Sequence, residues 1–85
     1  MKLLSTDDFV KHYERLPASI RKKGDEKLKV LLSNPRHSSL QIKKMKGYEE
    51  IWEGRISRSY RFTFQIKEDT YILRKVGKHE VLEKP

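Results

Sequence analysis

Apolar residues return at helical spacing through the first part of the chain and at every second position beyond residue 50. In "STDDFVKHYERLP", Phe9, Tyr13 and Leu16 line one face of a predicted helix. Ser5 or Thr6 can cap it, and Asp7 and Asp8 suit its positive N-terminal end. Pro17 ends this helix and suits the first turn of the next. From Ala18 to Leu32 the residues Ile20, Leu28, Leu31 and Leu32 keep the helical period, with lysines and arginines on the opposite face; Gly24 weakens the pattern. Asn34-Pro35 within "SNPRHSS" is turn chemistry and stops the second helix. A helical hairpin is therefore predicted, preceded at residues 1–5 by a short edge strand around Leu3-Leu4.

Three strands follow, at Ile51–Ile56, Tyr60–Ile66 and Thr70–Val76, with "SRS" and "KED" as turn material between them. Helices followed by hairpins imply an α+β fold, with the helical hairpin packed on one face of a small antiparallel sheet. In the middle strand Tyr60, Phe62, Phe64 and Ile66 face the helices, which leaves Arg61, Thr63 and Gln65 on the uncovered face. Trp52, Gly54 and Ile56 repeat the apolar set in the strand before, placing Glu53 and Arg55 opposite. Arg55 and Arg61 then share the open face near one hairpin end, an arrangement that a phosphate would neutralise. In the last strand Tyr71, Ile72 and Leu73 are consecutive apolar residues, so alternation leaves the face taken by Arg74 undecided. Gly77 permits a turn, and His79 follows it at the sheet's end.

Composition narrows the chemistry. The chain has 85 residues, 35% hydrophobic and 38% charged, which predicts one domain over residues 1–85 with one small core and little room for an enclosed cofactor. With no cysteine, disulfides and thiolate chemistry are excluded; His12, His37 and His79 are too scattered for a metal cluster, so neither metal nor cofactor is expected. No apolar run suits a signal peptide or a membrane span, and a cytoplasmic location without membrane partners is expected. Twenty Lys and Arg against twelve Asp and Glu give a net charge of +8, which attracts polyanions, nucleic acid first among them. Lys43, Lys44 and Lys46 in "KKMKG", Arg58 at the hairpin turn and Lys78 near the chain's end are candidate contacts to a phosphate backbone. Trp52 and Tyr60 have faces that can stack on a base, but their side of the sheet makes them core residues first.

The order of "FVKHYERLP", "LLSNPRH", "KMKGYEEIWEGRI", "SYRFTFQI" and "VGKHE" resembles the RelE/ParE superfamily of bacterial toxins from toxin–antitoxin pairs, over nearly the whole chain. Its most specific pieces are the W-E-x-R strand, the Y-R-x-x-F strand and the terminal G-K-H-E. The resemblance implies a microbial-ribonuclease type of α+β domain, a cognate antitoxin as partner and, for the RelE branch, cleavage of messenger RNA in the ribosomal A site. The ParE branch implies instead an inhibitor of DNA gyrase without nuclease chemistry.

Cleavage by transesterification needs a base for the 2′-hydroxyl, an acid for the departing 5′-oxygen and cations for the crowded phosphorane. Arg61 matches the arginine that the resemblance assigns to the cations, and Arg55 is the natural second clamp, since a guanidinium binds phosphate through two hydrogen bonds. His79 stands where nuclease branches carry arginine or histidine, and imidazole serves as acid or base near neutral pH. RelE's C-terminal catalytic tyrosine and its strand lysines have no counterpart here. Proton transfer is therefore expected of His79 with Glu53 or Glu80, against the plainer reading of Glu53 as an ion-pair partner of the arginines. His12 and His37 are expected to be structural or surface residues. An exposed basic face also implies an acidic or amphipathic antitoxin segment wrapped around the domain.

Overall fold

The Thr6 hydroxyl accepts the Phe9 amide at 3.1 Å and starts helix α1 (Asp7–Glu14) in the computed structural model, which describes residues 1–85. Helix α2 (Ala18–Ser33) follows, with Pro17 in extended backbone as its cap, one position earlier than the expected first turn. Gly24 is buried because the Tyr13 ring packs across it; a Cβ there would lie 2.5 Å from Tyr13 Oη. That hydroxyl donates to Asp25 Oδ1 at 2.6 Å, and its pKa is pushed up by burial and by this bond. A weak point of helix propensity is thus where the two helices meet.

Five strands form one sheet: β1 (Lys2–Ser5), β2 (Lys43–Lys44), β3 (Ile51–Arg55), β4 (Arg61–Lys67) and β5 (Thr70–Gly77), in the order β1-β5-β4-β3-β2. The expected three-strand meander is its antiparallel centre. β2 adds an antiparallel edge, and β1 adds the opposite edge in parallel to β5. Short 3-10 turns stand at Ser38–Leu40 and His79–Leu82. In the first, His37 Nδ1 accepts the Ser39 amide at 3.1 Å, a capping role.

Phe62, Phe64, Tyr71, Leu73 and Val76 from the sheet meet Phe9, Leu16 and Leu31 from the helices in one core, closed by Leu40 and Ile56. Each such side chain contributes about 1.5 to 3 kcal/mol by leaving water. Trp52 and Tyr60 pack against it partly buried, on the expected side. The Phe62 ring lies against Gly54, its partner in register, where any Cβ would collide. Leu32 and Ile66, expected inside, are exposed: Leu32 is rotated about 100° around the helix from buried Leu31, and Ile66 stands near the far end of β4 with little packed over it.

A β-bulge resolves the ambiguous last strand. Thr63 pairs with Lys75 and Phe64 with Leu73, so Arg74 is the extra residue of β5. Leu73 and Val76, three positions apart, would point to opposite faces of a regular strand. The extra residue lets both enter the core and turns Arg74 to the polar face, where its Nη1 donates to Gln65 Oε1 at 3.0 Å.

Candidate functional site

Register sets a row of residues across the polar face. Arg55 pairs with Arg61 across β3 and β4, and Arg61 pairs with Gly77 across β4 and β5. Three strands about 4.8 Å apart make this row about 10 Å wide. Lys78 and His79 follow directly, with His79 exposed at the start of a 3-10 turn rather than on the strand. The sequence-predicted clamp and histidine therefore come to the same end of the sheet.

Arg61 Nη1 is shared among the main-chain oxygens of Ser57 at 2.6 Å, Arg58 at 3.1 Å and Tyr60 at 3.1 Å. These carbonyls fix one side of the guanidinium to the β3–β4 turn and offset part of its charge beside Arg55. Arg55 borders an open hollow of about 530 Å³ between that turn and α2, where Lys23, Lys27 and Arg58 outnumber a single carboxylate, Glu26. The Lys78 ammonium lies 5.9 Å from the centre of the Tyr60 ring, a cation–π contact that steadies the strand's exit.

Glu53 is placed differently from the expectation. It pairs with Thr63 and with Lys43, one row removed from Arg55 and Arg61, and is only 8% exposed. Its carboxylate lies 3.7 Å from Lys43 Nζ, so its ion-pair partner is the β2 lysine rather than an arginine. The cause is the two-residue strand β2, which sets Lys43 directly opposite Glu53. Glu80 is taken up locally, its Oε1 accepting the Lys78 amide at 3.3 Å. Lys44, Lys46, Arg58 and Lys78 are exposed around the rim; Lys44, opposite Trp52, sits on β2 with Lys43.

Alternation missed how the polar face is finished. The segment after the last 3-10 turn crosses it, and Pro85 is buried there. The Pro85 main-chain oxygen accepts from Arg74 Nε at 3.0 Å and from the Thr63 hydroxyl at 3.3 Å. Tyr48 from the β2–β3 loop donates to the Glu83 main-chain oxygen at 2.7 Å. The face expected to be uncovered is therefore partly covered by the segment Glu83–Pro85. Period-two spacing did place Thr63 and Gln65 on this face; Arg74 was hidden by the bulge.

An α-helical pair over one side of a five-stranded sheet, with two arginines in register at one end of it, defines a small basic α+β fold shared with solved toxin structures. A YoeB/ParE toxin from Agrobacterium tumefaciens superposes with a TM-score of 0.79 at 21% identity, covering 93% of this chain and 99% of that one. The E. coli RelBE toxin–antitoxin complex gives 0.73 at 22%, covering 91% and 94%. The RelB–RelE antitoxin–toxin complex from Methanococcus jannaschii gives 0.75 at 30% identity, covering 94% of each chain. No family model matches the sequence, and no curated protein matches it. On the fold and the 30% identity, the chain belongs to the RelE/ParE superfamily of toxins.

Proposed function

We propose that the protein is an endoribonuclease toxin that cleaves messenger RNA in the ribosomal A site, inhibits translation in the cytoplasm and is restrained by a cognate antitoxin. One observation carries this reading: Arg55, Arg61 and Gly77 stand abreast in register, with His79 two residues beyond. The two guanidinium groups bind the scissile phosphate and stabilise the charge that grows on it, which needs no metal ion. The 2′-oxygen loses its proton, attacks phosphorus and forms a 2′,3′-cyclic phosphate, while the 5′-oxygen leaves with a proton. His79 takes part in this proton transfer. Glu53 does not, because it is nearly buried and faces Lys43. Lys44, Lys46, Arg58 and Lys78 track the neighbouring backbone, with Lys43 partly neutralised by Glu53. The antitoxin partner is supported by fold neighbours described as complexes with RelB and with DinJ.

Inducible expression with primer extension on cellular transcripts tests the reading. New 5′ ends are expected with the natural chain, and the His79→Ala variant is expected to lose them by a factor of about 10² or more while remaining folded. Equal cleavage by that variant rejects the role of His79. Inhibition of gyrase supercoiling without RNA fragments replaces the nuclease reading with the ParE-like one.

A further inference from the structure

The hydroxyl of Thr63, fully buried in the middle of β4, is held in one orientation. The Lys75 amide donates to its Oγ1 at 3.1 Å, which leaves the hydroxyl proton to be donated onward to the Pro85 oxygen at 3.3 Å. Arg74 Nε donates to the same oxygen at 3.0 Å, and Gln65 holds the guanidinium through Nη1 at 3.0 Å. Two donors, one of them charged, thus converge on one acceptor oxygen near the centre of the sheet. Two donors so placed, one of them charged, are the pattern that holds a phosphate oxygen.

The geometry points to Thr63 and Arg74 as a second phosphate subsite for single-stranded RNA, covered by Glu83–Pro85 until the strand displaces that segment. The inference rests on the RNA reading above. Thr63 lies two residues along β4 from Arg61, about 6.7 Å, so a strand seated at Arg61 lays an adjacent backbone phosphate toward it. The bulge that turns Arg74 onto this face supplies the charge, and Gln65 fixes its fork. The covering segment has one further side-chain anchor, the Tyr48 hydroxyl on the Glu83 oxygen.

Binding of a fluorescent 2′-O-methylated RNA oligonucleotide, which lacks the attacking hydroxyl, is measured by anisotropy over a salt series, alongside cleavage of the unmodified RNA. Arg74→Ala is expected to weaken binding about tenfold or more and to reduce the slope of log affinity against log salt by about 0.7, the loss of one phosphate contact. Arg74→Lys restores the slope but not the full affinity, because the charge returns without the fork. Tyr48→Phe loosens the covering segment and tightens binding about threefold, a gain that disappears when combined with Arg74→Ala. If Arg74→Ala fails to fold, the other two variants decide. Unchanged affinity and slope in the folded variants, with cleavage intact, overturn the subsite and leave the nuclease reading standing. The expected binding changes without any cleavage overturn the nuclease reading alone, and no RNA binding by the natural chain overturns both.

Discussion

The Asp8 carboxylate and the Lys75 ammonium meet at 2.8 Å, joining the first turn of α1 to the last strand. The hydrogen bond from Lys75 is the chief reason that the carboxyl is held below its ordinary value, with His12 and Lys11 adding to it. A depressed carboxyl adds stability above the unfolded pKa of about 3.9 and loses it as pH falls through the lower folded value. Asp8→Asn is therefore expected to melt below the natural chain at all pH values down to about 5, with the interval closing below about pH 4. Thermal melts of both proteins across this range check it. An interval that persists in acid would falsify the pairing.

Gly24 is expected to resist replacement although it lies inside a helix. Alanine gains about 1 kcal/mol of helix propensity, but its methyl must displace the Tyr13 phenol, and such overpacking costs about 1 to 3 kcal/mol. Gly24→Ala should therefore destabilise by about 1 kcal/mol, as read from urea midpoints. In a Tyr13→Leu background the obstruction is gone and the same alanine should stabilise. A cycle that shows no change of sign counts against the contact.

Glu68 has left-handed backbone, φ 56°, in the two-residue turn that joins β4 to β5. A side chain with a Cβ is strained there by about 1 kcal/mol, while asparagine tolerates the conformation. Glu68→Asn is expected to stabilise by about 0.5 to 1 kcal/mol and Glu68→Val to destabilise. Urea midpoints at unchanged m-value measure both, and an Asn variant no more stable than the natural chain rejects the strain.

What could be read in advance depended on whether a neighbour within a few positions enforced it. Thr6 and Phe9 set the start of α1, and the short "SRS" turn locks Arg55 opposite Arg61; both relationships are local and were legible. The bulge at Arg74 was not, because only the shared need of Leu73 and Val76 for the core selects it over a regular strand. The partner of Glu53 depended on β2, two lysines with no strand pattern of their own. "EVLEKP" shows no period, and its path is set by Tyr48, Thr63 and Arg74, residues 11 to 35 positions away. Such long-range polar contacts leave no trace in spacing.

Arg61 has two duties that mutation can separate. Its Nη1 holds three carbonyls of the β3–β4 turn, and under the proposed mechanism its remaining donors serve phosphate. Arg61→Ala should lose both, with cleavage down by about 10² to 10³ and stability by about 1 to 2 kcal/mol. Arg61→Lys keeps a donor for the turn and a charge but not the fork, so stability should largely return while cleavage stays well below that of the natural chain. Arg55→Ala, which gives up no turn contact, should lower cleavage with little change in melting temperature. Single-turnover cleavage and thermal melts of the three variants test this division. Cleavage that follows stability in all three would mean that Arg61 acts only by holding the turn.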